Sequence, residues 1–190
     1  SRWQWASVIP VSGGIFPVNI KERGRLKKIT VTAMVANLSL DIAKRETKRV
    51  KERLKAAGYT VDAEERSVSA YGKGNFLFIL AEFENVMAGF SSLGRLGKRA
   101  EQVADEAIEG FLRYMSSEGA IEAHLSDQLL IPMALAKGES VLTVAGISQH
   151  LRTNACVIEK FLPAGFSIEE GTPCVVRVKG VGFSRRSVKA

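Results

Sequence analysis

The sequence predicts a mixed α/β fold, and three observations support that class. Hydrophobic residues make up 46% of the 190 residues, which is enough to build a substantial core. Three strand-like runs lie between two helix-like runs in the first two thirds of the chain. A helix–strand–helix pattern follows between His124 and Asn154. Sheets covered by helices are typical of chains in which the two kinds of element are mixed in this way.

The N-terminal third contains two predicted strands and one predicted helix. The runs Ile15–Ile20 and Leu26–Ala36 are rich in strand-forming residues, and the second contains the β-branched segment ITVTAMVA. Ser39 is a plausible cap for a helix that ends near Gly58. The apolar stripe expected on this helix consists of Ile42, Ala43, Val50, Leu54 and Ala57.

Three further strands and a long helix are predicted next. The strands are Thr60–Ser67, Asn75–Glu84 and Val86–Ser92. The middle strand is nearly all apolar, so it is expected inside its sheet. Apolar residues then recur at intervals of three and four from Ala100 to Met115, which predicts an amphipathic helix.

The charge balance is basic. Lys and Arg number 27 against 20 Asp and Glu, a formal net charge of +7. This charge suits a polyanion such as RNA, although a merely soluble basic surface explains it equally well. The first predicted helix carries a row of cations opposite its apolar stripe: Lys44, Arg45, Lys48, Arg49, Lys51, Arg53 and Lys55. We expect a solvated face there, with RNA contact as the alternative.

Several classes of protein are disfavoured. The sequence has no apolar run long enough to span a bilayer and no signal peptide, so we expect no membrane partner and a cytoplasmic location. Cys156 and Cys174 form no C-x-x-C pair, and reduced thiols are expected rather than a zinc or redox site.

The stretch from His124 to Asn154 concentrates the residues suited to chemistry. It contains both histidines, and each is expected at the entrance of a helix. Helix N-termini attract phosphate and disfavour a cationic ring, so a neutral, nucleophilic His150 just before the second helix would suit nucleotide chemistry. A capping or core histidine is the alternative. Thr153 and Asn154 would serve equally well as helix caps or as active-site groups.

Two motifs in this stretch resemble those of one enzyme family. HLSDQ, from His124 to Gln128, is similar to the His/Tyr-Leu-x-Asp-Gln motif of RNA 3′-terminal phosphate cyclases. HLRTN, from His150 to Asn154, resembles the catalytic His-x-x-Thr-Asn motif of that family. The segment Val8–Gly14 resembles a family turn, with Ser12 in place of a glycine. The resemblance covers most of the chain but only the C-terminal half of the family, whose members are roughly twice as long.

The resemblance implies an α/β fold of the α+β sandwich type. Residues 1–36 would begin the last repeat of the main cyclase domain, which is built from units of four strands and two helices. Residues 37–118 would form a small α/β insert domain. Residues 119–190 would complete the repeat and carry the nucleotide site.

The resemblance also implies an activity: ATP-dependent conversion of an RNA 3′-terminal phosphate to a 2′,3′-cyclic phosphate. His150 would attack ATP to form a covalent histidine–adenylate, with Thr153 and Asn154 in support. The first motif would line the adenylate pocket with His124, Leu125, Ser126, Asp127 and Gln128. For Asp127, a favourable place in the first helical turn is the alternative.

The implied ligands and partners are ATP, an RNA 3′ end and a divalent metal, Mg or Mn. The main metal ligand would lie in the N-terminal half of the enzyme, which would be the partner of this chain. The chain alone is therefore expected to be inactive. Two other functions stay open: a non-catalytic cyclase-like protein in ribosomal RNA processing, and a basic RNA-binding module that uses the Lys44–Lys55 face.

Overall fold

The structure, a computed structural model, describes residues 14–183, and Val8 to Gly13 of the predicted turn lie outside them. Over this range it contains four helices and eight strands in two four-stranded sheets, which confirms the mixed α/β class. In chain order the elements are β1 (Asn19–Ile20), β2 (Leu26–Ala36), α1 (Asp41–Ala56), β3 (Asp62–Val68), β4 (Gly74–Phe83), β5 (Met87–Leu93), α2 (Ala100–Ser116), α3 (Ala123–Leu135), β6 (Glu139–Val144), α4 (Gln149–Phe161), β7 (Gly165–Glu169) and β8 (Cys174–Lys179).

The chain forms two compact units. We call residues Glu22–Glu122 the inserted unit, and Ser1–Lys21 with Ala123–Ala190 the split unit. The inserted unit begins at Glu22, whereas the predicted insert domain began at residue 37. The difference arises because β2 pairs in parallel with β3 and antiparallel with β4, so that β2 belongs to the sheet of the inserted unit.

The sheet of the inserted unit has the order β3-β2-β4-β5. Alternate residues of its strands are buried, as expected for a sheet with one face on the core: Val31, Ala33, Val35, Leu77, Ile79 and Ala81 are fully buried. Helices α1 and α2 pack on that core. Phe111 of α2 is also fully buried, and its ring meets Tyr59 edge-on with 5.2 Å between the ring centroids.

The buried stripe of α1 differs from the predicted one. Ala57 lies beyond the helix and is exposed, whereas Glu46 and Thr47 are buried with Val50. The Glu46 side chain is 0% exposed and accepts a hydrogen bond from the Asn75 amide. Its second carboxylate oxygen has no hydrogen-bond partner among residues 14–183. Burial raises the pKa of Glu46 to about 7, because the charged form is disfavoured away from water.

One arginine ties the two ends of the inserted unit together. The guanidinium of Arg23 lies 4.6 Å from the centroid of the Tyr114 ring. It donates hydrogen bonds to the carbonyl oxygens of Tyr114 and Ser117, where α2 ends. The Tyr114 hydroxyl in turn donates to the carbonyl oxygen of Ala120 at 2.6 Å. The point where the chain enters this unit is thereby fixed to the segment where it leaves.

The split unit consists of a sheet with the order β1-β6-β8-β7 and two helices. Strand β1 pairs in parallel with β6, and the other neighbours are antiparallel. Helix α3 packs on β6 and β8, and α4 packs on α3 and β7. The buried residues between them include Leu130, Met133, Leu142, Leu151, Val176 and Val178. No helix in the described part of the chain is long and apolar enough to cross a membrane.

Candidate active site

The N-terminus of α4 is held by Ser148. Its backbone is extended, with φ −82° and ψ 158°, and its hydroxyl oxygen accepts a hydrogen bond from the Leu151 N–H at 3.0 Å. A serine in this position satisfies one of the amides that a helix leaves without an internal acceptor. Ser148 therefore caps α4, and Gln149 is the first residue of the helix.

His150 is the second residue of α4, so its predicted place just before the helix was wrong. The physical reason is that Ser148, two residues earlier, provides the cap, so the helix begins sooner. His150 is exposed in the first turn, where the amides and the macrodipole favour a negative charge. A phosphate bound at this helix end would therefore lie close to the exposed imidazole.

The first motif lies in the opening turns of α3. Asp127 is the fifth residue of that helix, and the first turn contains no acidic residue. The alternative explanation for Asp127, a favourable place in the first turn, therefore does not apply. Pro132 is the tenth of the 13 residues of this helix.

One hydrogen bond joins the first motif to the cap of the helix that carries the second motif. The Ser148 hydroxyl donates to Oδ1 of Asp127 at 2.8 Å, while its oxygen accepts from the Leu151 amide. Asp127 is half-buried. The carboxylate of the first motif thus contacts the cap of the helix that carries His150.

The remaining residues of the first motif divide between the surface and the core. His124 and Gln128 are exposed, and Leu125 is 36% exposed. Ser126 is only 1% exposed, and its hydroxyl donates to the Ala123 carbonyl oxygen at 2.5 Å. The exposed members are therefore available to a ligand, whereas Ser126 packs inward.

Thr153 and Asn154 lie in the second turn of α4, so neither caps the helix. Both are exposed, and the Thr153 hydroxyl donates to the Gln149 carbonyl oxygen at 2.9 Å. Arg152, a possible phosphate contact, forms an ion pair with Glu170. That pair would have to open before Arg152 could bind a phosphate.

No three His, Cys, Asp or Glu side chains within residues 14–183 converge on a point where they could hold a metal ion. Stable binding of a divalent cation needs several oxygen or nitrogen ligands. The residues present here therefore do not fit a metal site, and we derive no step through a metal.

Helix α2 pairs with the three arginines of the cationic face of α1. The Arg45 guanidinium donates to both carboxylate oxygens of Glu101, at 2.8 and 2.7 Å. Arg49 and Arg53 each donate to Oδ1 of Asp105 at 2.9 Å. These pairs weaken the case for RNA contact through the Lys44–Lys55 face, because the arginines already have anionic partners.

Sequence reasoning missed Ser148. The signal was present, because a serine directly before a helical run is a common N-cap. It was passed over because the recognised motif begins two residues later, at His150. The bond from Ser148 to Asp127 had no sequence signal, since it joins residues on two different elements.

Comparison with known proteins gives a consistent result. The family model for the insert domain of RNA 3′-terminal phosphate cyclase (RTC) matches residues 21–116. The chain is 38% identical to the RNA 3′-terminal phosphate cyclase of Methylococcus capsulatus over 80% of its own length and 43% of that protein. It is 38% identical to the Ralstonia nicotianae protein of the same name, over 92% of this chain and 49% of that one. The chain spans about half the length of the curated relatives it matches.

Proposed function

Because the chain belongs to the RNA 3′-terminal phosphate cyclase family, we propose that it forms the part of an ATP-dependent cyclase that carries the adenylylated histidine. An unprotonated ring nitrogen of His150 attacks the α-phosphorus of ATP. The bond from that phosphorus to the oxygen bridging to the β-phosphate breaks, and pyrophosphate leaves with the electron pair. The product is a covalent histidine–adenylate.

Two further transfers complete the proposed reaction. An oxygen of the RNA 3′-phosphate attacks the adenylate phosphorus and displaces His150. The neighbouring 2′-hydroxyl then attacks the activated RNA phosphorus and loses its proton. A 2′,3′-cyclic phosphate forms and AMP departs. The substrates are thus ATP and an RNA 3′ end, and the cytoplasm is the proposed location.

One observation carries this proposal: Asp127 of the first motif contacts Ser148, which caps the helix that bears His150. This contact supports a single shared site over two separate surface features. Within it, an exposed imidazole lies in a helix turn that favours a phosphate.

The first motif supplies the proposed adenylate pocket. We assign stacking on the adenine to the His124 ring, and contacts with the nucleotide to Leu125, Asp127 and Gln128. Ser126 supports the pocket from the core side. Thr153 and Asn154 are proposed to support His150 from the exposed side of α4. The divalent metal, Mg or Mn, is proposed to take its main ligand from the N-terminal half of the enzyme.

The test is covalent labelling of the full-length gene product with ATP that carries a radioactive α-phosphate, in the presence of a divalent metal. We expect acid-labile label on the wild type and none on His150→Ala. Cys156→Ala is the matched control, because it removes an exposed nucleophilic side chain of the same helix that has no proposed role, and it should still take label. Label that persists on His150→Ala would refute the assignment.

The non-catalytic alternative predicts a different result. Folded full-length wild type would then take no label under any ATP or metal concentration. RNA binding that weakens with salt would remain, since phosphate contacts release counterions. The exposed His150 at a helix N-terminus favours the enzyme over this alternative.

A further inference from the structure

We propose that Ser148 is a positioning residue for His150, and that Asp127 acts on the reaction through Ser148. The inference rests on the proposed function. It assigns a role to a residue outside both recognised motifs.

The Ser148 hydroxyl is fixed from two sides. Its only proton goes to Oδ1 of Asp127 at 2.8 Å, and its oxygen accepts the Leu151 N–H at 3.0 Å. A hydroxyl has one proton to donate, so the bond to Asp127 decides where the lone pairs point. A bond to a carboxylate is also stronger than one between neutral groups. Asp127 thereby directs the hydroxyl oxygen of Ser148 towards the helix amide.

The consequence for His150 follows from its place in the chain. It lies between Ser148 and Leu151, inside the turn that the cap closes. Without the Asp127 bond the hydroxyl can turn away, and the first turn of α4 loosens. The imidazole would then lose its fixed position relative to the bound phosphate. Misplacing a reacting group by about 1 Å can cost roughly 100-fold in rate.

Asp127 thereby couples the adenylate pocket to the nucleophile. It lies on α3 among the exposed residues of the first motif, yet one of its oxygens contacts the cap of α4. Its loss should therefore slow the attack on ATP more than it weakens ATP binding.

The kinetic test compares four variants of the full-length enzyme: Ser148→Ala, Ser148→Thr, Asp127→Ala and the double variant with alanine at both positions. Ser148→Ala should lower the rate of adenylylation at saturating ATP by about 10- to 100-fold, with little change in KM for ATP. Ser148→Thr should restore most of the rate, because threonine also caps helices. The double variant should be no slower than Ser148→Ala, since both changes remove one interaction.

Two kinetic results would overturn the proposal. One is a wild-type rate in Ser148→Ala. The other is a double variant whose loss is the product of the two single losses, because Asp127 would then affect the rate of adenylylation independently of Ser148.

A second measurement does not depend on activity. Hydrogen exchange at the Leu151 amide reports whether the cap is formed. Asp127→Ala should accelerate this exchange by about tenfold, whereas Asp105→Ala, the same change in the inserted unit, should leave it unaltered. Unchanged exchange of the Leu151 amide in Asp127→Ala would refute the positioning role, even if the wild-type enzyme takes label. A full-length wild type that takes no label would refute the proposed function instead, and Leu151 exchange would still decide whether Asp127 holds the cap.

Discussion

The two units use their polar side chains differently. In the inserted unit, the arginines of α1 form ion pairs with Glu101 and Asp105 of α2, so that these charges contribute to the packing of the two helices. In the split unit, His150 and Asn154 stay exposed on α4, and Asp127 contacts the cap of that helix. A row of charges on a helix can therefore be part of the packing, whereas the exposed polar groups of α4 are the ones that we propose for a site.

Burial sharpens the same contrast. The inserted unit keeps a carboxyl group, Glu46, at 0% exposure with one oxygen lacking a partner in the described range. The ionisable residues of the split unit that we assign to the site are exposed or half-buried. We expect substitutions of polar groups to change mainly stability in the inserted unit and mainly reactivity in the split unit.

The largest stability effect should come from a phenylalanine of the inserted unit. Phe111→Ala removes a fully buried ring and should lower the free energy of unfolding by about 3–5 kcal/mol. Phe161→Ala in the split unit removes a ring that is 81% exposed, and should change stability by less than about 0.5 kcal/mol. Urea unfolding of both variants measures the difference. Equal losses in the free energy of unfolding would contradict the expected difference between the two residues.

The next effect is the pH dependence that Glu46 gives to the inserted unit. Its pKa in the folded state, about 7, lies above the ordinary value of 4.5, so the folded state holds a proton that the unfolded state has released between these values. The contribution of Glu46 to the free energy of unfolding is therefore fully present below pH 4.5. It should fall by about 1.4 kcal/mol per pH unit between pH 4.5 and pH 7. Glu46→Gln should remove this slope in urea unfolding at several pH values.

Glu52→Gln is the control for that measurement. Glu52 lies on the same helix but is exposed, so its replacement should leave the slope as in the wild type. A Glu46→Gln variant with the wild-type slope would show that the buried carboxyl is not the source.

The smallest effect is expected from the ion pairs between α1 and α2. Asp105→Ala leaves Arg49 and Arg53 without their shared partner and should cost about 1 kcal/mol, less at high salt because both arginines are partly exposed. The hydrogen bond from Arg49 is the main cause of the lowered pKa of Asp105. This stabilisation should therefore persist above the ordinary Asp pKa and disappear as the pH falls through the lowered folded-state value.

Asp41→Ala is the matched control, because its pair with Lys44 is 3.6 Å long and well exposed. Thermal unfolding at low and high salt should separate the two variants. If Asp105→Ala and Asp41→Ala lose the same amount of stability at both salt concentrations, the ion pairs between α1 and α2 contribute no more than an exposed surface pair.

Local patterns predicted much of this fold. Strand β2 was predicted with the bounds that the structure has, because it is a long run rich in β-branched residues. Its place in the sheet of the inserted unit depends on pairing with β4, about 45 residues further along the chain, and no local pattern reports such pairing. The same limit explains the misplaced start of the insert domain.

For the proposed site, the sequence indicated only residue types and a stretch of the chain. The motifs pointed to the stretch that contains Asp127 and His150, but the cap at Ser148 shifted the helix start. The predicted apolar stripe of α1 did not include Glu46, and glutamate is rarely buried. Only the packing around Asn75 shows that a carboxyl group lies there.

The hydrogen bonds from Arg23 to the end of α2 have a consequence for the ancestry and engineering of this chain. They hold the beginning of the inserted unit against the end of α2, so the polypeptide leaves and returns at nearly the same place. A module with adjacent ends adds little closure entropy to a host fold. Such a module can be gained, lost or exchanged by recombination at two neighbouring positions. Replacing residues 22–122 with a short glycine linker would show whether the remaining segments still fold together.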